Sequence, residues 1–282
     1  MNEKYKIAFI SPLFSAGAEQ KHAEVRAPSI RGQLHWWHRA LGYDHATERD
    51  LYGGVAWTKG RDRTMNLSDQ ASRVVVRVSD VVGEKDRAPT LPHKTGGRSA
   101  LRACFLPGAT ATVHILSRLS PLSSEETQTV STTLRTWALL GALGYRATRG
   151  GGSFSSDALC LSSEADFISE LEALPSSRKF GAALLQASYA NQFEARKVVT
   201  DTMAGLSNLR DPLGYAQGRN RKTSPLRLTL KAIGDEIRIC AVWDRRQEVT
   251  GNGPQDLRGL PRALGDKKLA DQLNDVVDVL VG

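Results

Sequence analysis

Apolar and polar residues alternate from Lys4 to Ile10, with Tyr5, Ile7 and Phe9 on one side and lysines on the other, which predicts a strand with one buried face. A loop of small residues, SPLFSAGAEQKHAEV, follows, and the period then changes. Ile30, Leu34, Trp37 and Leu41 recur at helical spacing after an entry marked by Pro28 and Ser29, with Ser29 the expected N-cap and Gly42 the expected C-terminal glycine. Arg31, His35, His38 and Arg39 gather on the neighbouring face, so one face of this helix packs and the other is cationic. Gly32 costs about 1 kcal/mol relative to alanine inside a helix, which points either to another backbone close by or to tight packing. Trp37 falls on the apolar stripe, whereas Trp36 faces a different neighbour: a second domain, another subunit or a stacked base.

Residues 43–73 are polar and irregular and read as a surface insertion. Val74 to Val82 and Thr110 to Leu116 read as strands, joined by a loop carrying Lys85, Arg87, Lys94, Arg98 and Arg102. Ser123 and Glu126 form a capping box, and Val130, Leu134 and Trp137 continue a helix to Gly144. The sequence GYRATRGGGSF follows, then Ala158 to Leu161 with strand character. Strand, helix, strand, strand, helix, strand is the order of a ferredoxin-like or RRM-like domain, here closing near residue 161. Beyond it, Ala165 to Leu174 reads as helix and Phe180 to Val199 as mostly helix. Leu226 to Ile233 and Glu236 to Trp243 form a hairpin turned at Gly234 and Asp235, and Lys267 to Leu280 reads as a last helix. A second copy of the fold needs two more strands, and no sequence repeat is visible.

The 282 residues, 40% hydrophobic and 24% charged, suit one large or two ordinary globular domains. No apolar run approaches the roughly 18 to 20 residues that span a bilayer, and MNEKYKIAFISPLF lacks the order of a signal peptide, so the expectation is a cytoplasmic protein with no membrane partner. Cys104, Cys160 and Cys240 are odd in number, widely separated and set among apolar or small residues, and read as buried, reduced thiols. The net charge of +8 favours a polyanionic partner. It is clustered, once from Arg26 to Arg39 and again over Arg210, Arg219, Arg221, Lys222, Arg227 and Lys231, with Asp211 the opposing acid.

Gly144 to Gly152, carrying Arg146 and Arg149, can present backbone N–H groups to phosphates, or can be a plain connector. It is neither a Walker loop nor a Rossmann fingerprint, because it ends a helix and precedes a strand. His35 and His38 lack a third ligand in register, so no metal and no cofactor is expected. Such a pair can instead serve as general acid and base in metal-independent RNA cleavage. The loop GRNRKTSP leading into a strand is a further phosphate contact region. The carboxylates show no metal-site spacing, and nothing in the chain requires an enzyme.

The segments Ser11-Pro12-Leu13-Phe14, RAPSIRGQLHWW from Arg26 to Trp37, and GALG from Gly141 running into RGGGSF at Arg149 to Phe154 together resemble the RAMP superfamily of CRISPR proteins. The likeness is greatest to the family of first subunits of the Cmr (type III-B) RNA-guided effector, and the entry Arg221 to Leu226 is similar to the Ser-Pro-Leu strand entry of that subunit. The resemblance implies an α+β chain of two ferredoxin-like (RRM-like, RAMP) folds in tandem. The first covers 1–161, with the glycine-rich loop 144–152, and the second, possibly reduced, covers 162–282. It also implies a non-catalytic subunit that binds guide CRISPR RNA and complementary target RNA beside other RAMP subunits. The expected RNA contacts are Arg26, Ser29, Arg31, His35, His38, Arg39, Arg146, Arg149, Gly150, Gly151, Gly152, Arg219, Arg221 and Lys222. A guide-processing endoribonuclease of the same superfamily, using His35 or His38, and a basic assembly scaffold stand as alternatives. The chain is short for this subunit, and no residue matches the acidic loop residue of the superfamily's target-cutting subunits.

Overall fold

The computed structural model describes residues 1–54, 70–94, 100–205, 215–217, 220–222 and 224–246. Its first sheet is built on β1 (Asn2–Phe9), whose Ile7 and Phe9 are buried while Lys4 and Lys6 stay exposed. β1 pairs antiparallel with β5 (Thr110–Ser117), which pairs in turn with β2 (Val74–Val82), and β6 (Phe154–Ser156) closes on the other side of β1. The order β2-β5-β1-β6 places the fourth strand beside the first, which is the ferredoxin-like arrangement expected from the element order. The closing strand is Phe154–Ser156 rather than Ala158 to Leu161, because the glycine-rich loop delivers Phe154 directly opposite Phe9.

Helices α1 (Ala27–Ala40) and α3 (Ser124–Leu140) cover one face of this sheet. Ile30, Leu34 and Trp37 from α1 meet Val130, Leu134 and Trp137 from α3 over Ile7, Phe9, Val113 and Ile115. The capping box of α3 is present: Ser123 Oγ accepts from the Glu126 amide at 3.1 Å and the Ser123 amide donates to Glu126 Oε2 at 2.7 Å. The start of α1 differs from the expectation. Arg26 is its N-cap, with no side-chain cap, and Ser29 lies inside the first turn. The supposed insertion at 43–73 contains a helix, α2 (His45–Tyr52), capped by Asp44 and anchored by buried Leu51 and Tyr52. The link from β2 to β5 is a hairpin, β3 (Lys85–Pro89) with β4 (Leu101–Phe105).

α4 (Glu164–Glu172) follows the first unit, and β7 (Phe180–Tyr189) then stands where a helix was expected; the helix α5 begins only at Gln192 and runs to Gly205. A short hairpin, β8 (Tyr215–Gln217) and β9 (Asn220–Lys222), precedes β10 (Leu226–Ile233) and β11 (Glu236–Asp244), which turn at Gly234 and Asp235 as expected. The second sheet has the order β10-β11-β7, which repeats the relation of β2, β5 and β1 and so supplies three of the four strands of a second ferredoxin-like unit. The expected helix over Lys267 to Leu280 lies outside the described residues.

Alternation along β10 explains how the units join. Leu226, Leu228 and Leu230 pack with Ala195, Val199 and Met203 of α5, whereas Arg227, Thr229 and Lys231 are buried on the opposite face. On that same face Ala182, Cys240 and Val242 merge with the first unit's core. Arg227 and Lys231 therefore belong to the junction rather than to a surface track. Cys104 and Cys240 are buried free thiols, but Cys160 is exposed, against the expectation of three buried ones.

Candidate nucleic-acid interface

The glycine-rich loop is clamped from both sides by backbone. Gly152 donates to Pro12 O at 2.9 Å and Tyr145 to Phe14 O at 2.7 Å, which ties the loop to the strap Ser11–Ser15. Gly150 donates to Leu228 O at 2.7 Å and the Leu228 amide returns a bond to Thr148 O at 3.1 Å, which ties it to β10. Gly151 donates to Arg146 O at 3.0 Å. Ser153 Oγ, held in the interior, accepts from the Leu230 amide at 2.9 Å. Gly152 has φ +58°, and a Cβ there would sit 1.8 Å from Leu143 O. The N–H groups of Gly150, Gly151 and Gly152 are thus spent inside the fold. The loop is a joint between the units and not the phosphate cradle expected from its composition. Arg149 is drawn into this joint, where burial, then the charge of Arg146, pushes its pKa down.

The cationic face of α1 is divided. His35 Nδ1 meets Glu48 Oε1 at 2.7 Å, Arg39 Nε lies 3.5 Å from the same oxygen, and His45 Nδ1 meets Glu48 Oε2 at 2.9 Å. Burial pushes the Glu48 carboxyl up, but the two imidazoles and the Arg39 guanidinium outweigh it and hold its pKa below the usual range. His38 is fully buried against Tyr43 and Tyr52, with Nε2 at 3.2 Å from Asp44 O, and burial lowers its pKa. His35, His38 and Arg39 are therefore occupied by packing against α2 and its loop, which the sequence reading of this face did not include. Arg26 pairs with Glu24 at 2.8 Å. Arg31 is exposed and has no ionic partner among the described residues. Trp36 meets the second unit: the Arg227 guanidinium sits 3.5 Å from its ring centroid and that of Arg246 4.9 Å.

Between the start of α1 and the strap runs an open groove of about 580 Å³. Phe14, Ser15 and Ala16 form one wall, Ser29, Gly32 and Gln33 the other, and Arg102, Ala103 and Tyr145 close the end. A Cβ on Gly32 would meet nothing within 4 Å, so neither another backbone nor tight packing accounts for this glycine, which leaves the helix surface bare toward the groove. Tyr145 is 44% exposed, and the guanidinium carbons of Arg102 and Arg146 lie 4.7 and 4.9 Å from its ring centroid. Two arginines with no carboxylate partner among the described residues, Arg102 and Arg146, thus flank one exposed ring at the end of a polar groove. That is a surface able to hold phosphates and stack a base.

Of the expected contacts, the structure brings Ser29 into the groove wall and Arg146 against Tyr145 at its end, whereas Arg31, two residues from both Ser29 and Gln33, falls on another face of α1. Arg221 and Lys222 lie on β9, and Arg219 falls outside the described residues. Gln33 and Tyr145 escaped the sequence reading, which noted Arg102 as a loop cation without placing it at a site. Among the described residues no group of three His, Cys, Asp or Glu side chains is arranged to hold a metal ion, and no helix is long and apolar enough to cross a membrane.

Residues 6–155, more than half of the chain, match the RAMP superfamily, and the chain belongs to that superfamily. Its fold is similar to the crystal structure of Cmr1 from Pyrococcus furiosus in its apo form, with TM-score 0.61 and 17% identity over 91% of both chains. It is also similar to a chain of the type III-B Cmr-beta complex bound to cognate target RNA, with TM-score 0.57 and 11% identity over 96% of this chain and 99% of that one. At such identities the likeness is one of fold. No curated protein matches the sequence.

Proposed function

We propose that this chain is a non-catalytic, RNA-binding subunit of a type III-B CRISPR (Cmr) effector, acting in the cytoplasm. In this reading it captures target RNA near the 3′ end of the guide, in antiviral defence. The observation that carries the reading is the groove beside α1, at whose end Arg102 and Arg146 have no carboxylate partner among the described residues and Tyr145 offers a stacking ring on a RAMP fold. The fold's occurrence in an RNA-bound Cmr-beta complex supports it. Contacts of this kind position RNA without reading it, so pairing between guide and target carries specificity. Guide CRISPR RNA, target RNA and other RAMP subunits are its partners, and residues 1–161 and 162–282 form its two folds. The nuclease alternative fits less well, because His38 is buried and His35 is held by Glu48.

The test is binding of labelled single-stranded RNA across a salt series with EDTA present. Wild type is compared with Arg102→Glu/Arg146→Glu and with a charge-matched control, Lys4→Glu/Arg77→Glu, on the sheet face turned away from the helices. Affinity should fall with salt. The groove variant should bind weakly and with a slope of log K against log salt shallower by about 1 to 2, and the control should behave as wild type. Loss in the control alone, or EDTA-resistant cutting abolished by His35→Ala, would contradict the proposal.

A further inference from the structure

The second sheet stops one strand short. In the first sheet β6 lies beside β1, and β7 holds the place of β1 in the order β10-β11-β7, yet among the described residues no strand lies on the outer side of β7. Gly181 to Leu184 on that strand instead line a groove of about 580 Å³ between β7 and α4, where Ala183 and Leu184 are partly exposed. A strand edge without a neighbour leaves main-chain N–H and C=O groups ready to pair with another chain. The α4 wall is apolar, with Ile168 44% exposed and Leu171 half-buried. Arg178 and Arg245 also line the groove, close enough together that the charge of Arg178 adds to burial in lowering the pKa of Arg245. Arg178 donates to Leu174 O at 3.3 Å, and neither arginine has a carboxylate partner among the described residues. Of the groove's two acids, Glu164 is held by Arg238 at 3.0 Å, which leaves Glu172 against two arginines.

We propose that this groove takes an extended acidic segment of a partner protein, which adds to β7 as a fourth strand. Its apolar side chains lie against Ile168 and Leu171, and a carboxylate sits with Arg178 and Arg245. Main-chain bonds to the strand edge supply affinity, and the side chains that alternate toward the groove supply choice of partner. The proposal stands apart from the RNA-binding groove beside α1 and does not rest on it. A nucleic acid is the competing ligand for two arginines, but phosphates make no use of an aliphatic wall. The rings lining this groove, Phe167 and Phe180, are 1% and 2% exposed and offer no face to a base.

The probe is a fluorescein-labelled peptide, Asp-Val-Thr-Val-Thr-Val-Asp, acidic at both ends so that either strand direction serves. Fluorescence anisotropy with the full chain should show saturable binding. Alternate amides of an added strand face its neighbour, so N-methylation of one alternate set should abolish binding while methylation of the other set is tolerated, a result that needs no change in the protein. Arg178→Glu/Arg245→Glu should weaken binding about tenfold, and the same peptide with lysine at both ends should prefer that variant over wild type, which a misfolded variant would not show. Equal loss from both methylation patterns, or an affinity indifferent to the charge reversal, overturns the proposal. So does failure of the wild-type chain to bind the peptide. In that case p-benzoylphenylalanine in place of Ile168 identifies the occupant, by crosslinking either to this chain's own residues 247–282 or to labelled single-stranded RNA.

Discussion

Replacement of Lys231 by methionine probes the charged face that β10 turns into the junction. The Lys231 side chain is wholly buried, and its Nζ donates to Ala138 O and Gly141 O, each at 3.3 Å, at the carbonyl end of α3. Burial, partly offset by Cys240, lowers its pKa from 10.5 to about 8. The folded state therefore releases this proton before the unfolded state does. Between the two values the unfolded chain binds more protons, and stability rises with pH. A shift of this size is worth about 3 kcal/mol across the whole window. Two thiols oppose it: burial raises the pKa of Cys240 to about 11 and that of Cys104 in the same direction, so their contributions fall as the unfolded thiols ionise near pH 9. The lysine's effect is cleanest as a difference between proteins. Urea unfolding of wild type and Lys231→Met at pH 8 and pH 9 should show wild type gaining about 1 kcal/mol relative to the variant over that unit. A difference independent of pH, or one of opposite sign, would show that Lys231 is not buried as a cation against α3.

Gly152→Ala places a Cβ against Leu143 O at φ +58° and should cost more than about 2 kcal/mol, read as a fall in thermal midpoint. Gly32→Ala meets open space and should stabilise α1 by about 1 kcal/mol while weakening RNA binding, which a melting curve and a binding isotherm separate. Trp36→Ala removes the ring against which Arg227 and Arg246 lie; a double-mutant cycle with Arg227→Met should return a coupling of about 1 to 2 kcal/mol in denaturant unfolding. His38, buried with a lowered pKa, should make the fold lose stability as pH falls below about 6.5, and His38→Phe should flatten that acid limb in a pH series of thermal melts.

The first unit was legible because its signals are local. The alternation of Lys4 to Ile10, the stripe of Ile30, Leu34 and Trp37, and the capping box at Ser123 each specify an element without help from the rest of the chain. β7 was not legible, since its stretch AALLQA is composed of good helix formers and becomes a strand only because β11 pairs with it. The cationic face of α1 was read without Glu48, which lies in the supposed insertion and reaches His35 and Arg39 only once α2 packs. The glycine-rich loop was found by its composition, but its role was misjudged, because its hydrogen-bond acceptors at Pro12 and Leu228 are set by tertiary structure. For the same reason the groove itself, assembled from the strap, α1, β4 and Tyr145, has no contiguous signature.

The most direct measurement is photo-crosslinking of the full chain to single-stranded RNA carrying 4-thiouridine, with the crosslinked peptides mapped by mass spectrometry. The account predicts crosslinks at the start of α1 around Ser29 to Gln33 and at Tyr145, competed away by unlabelled RNA and lost in Arg102→Glu/Arg146→Glu. Crosslinks confined to the sheet face bearing Lys4 and Arg77, with the groove untouched, would contradict it.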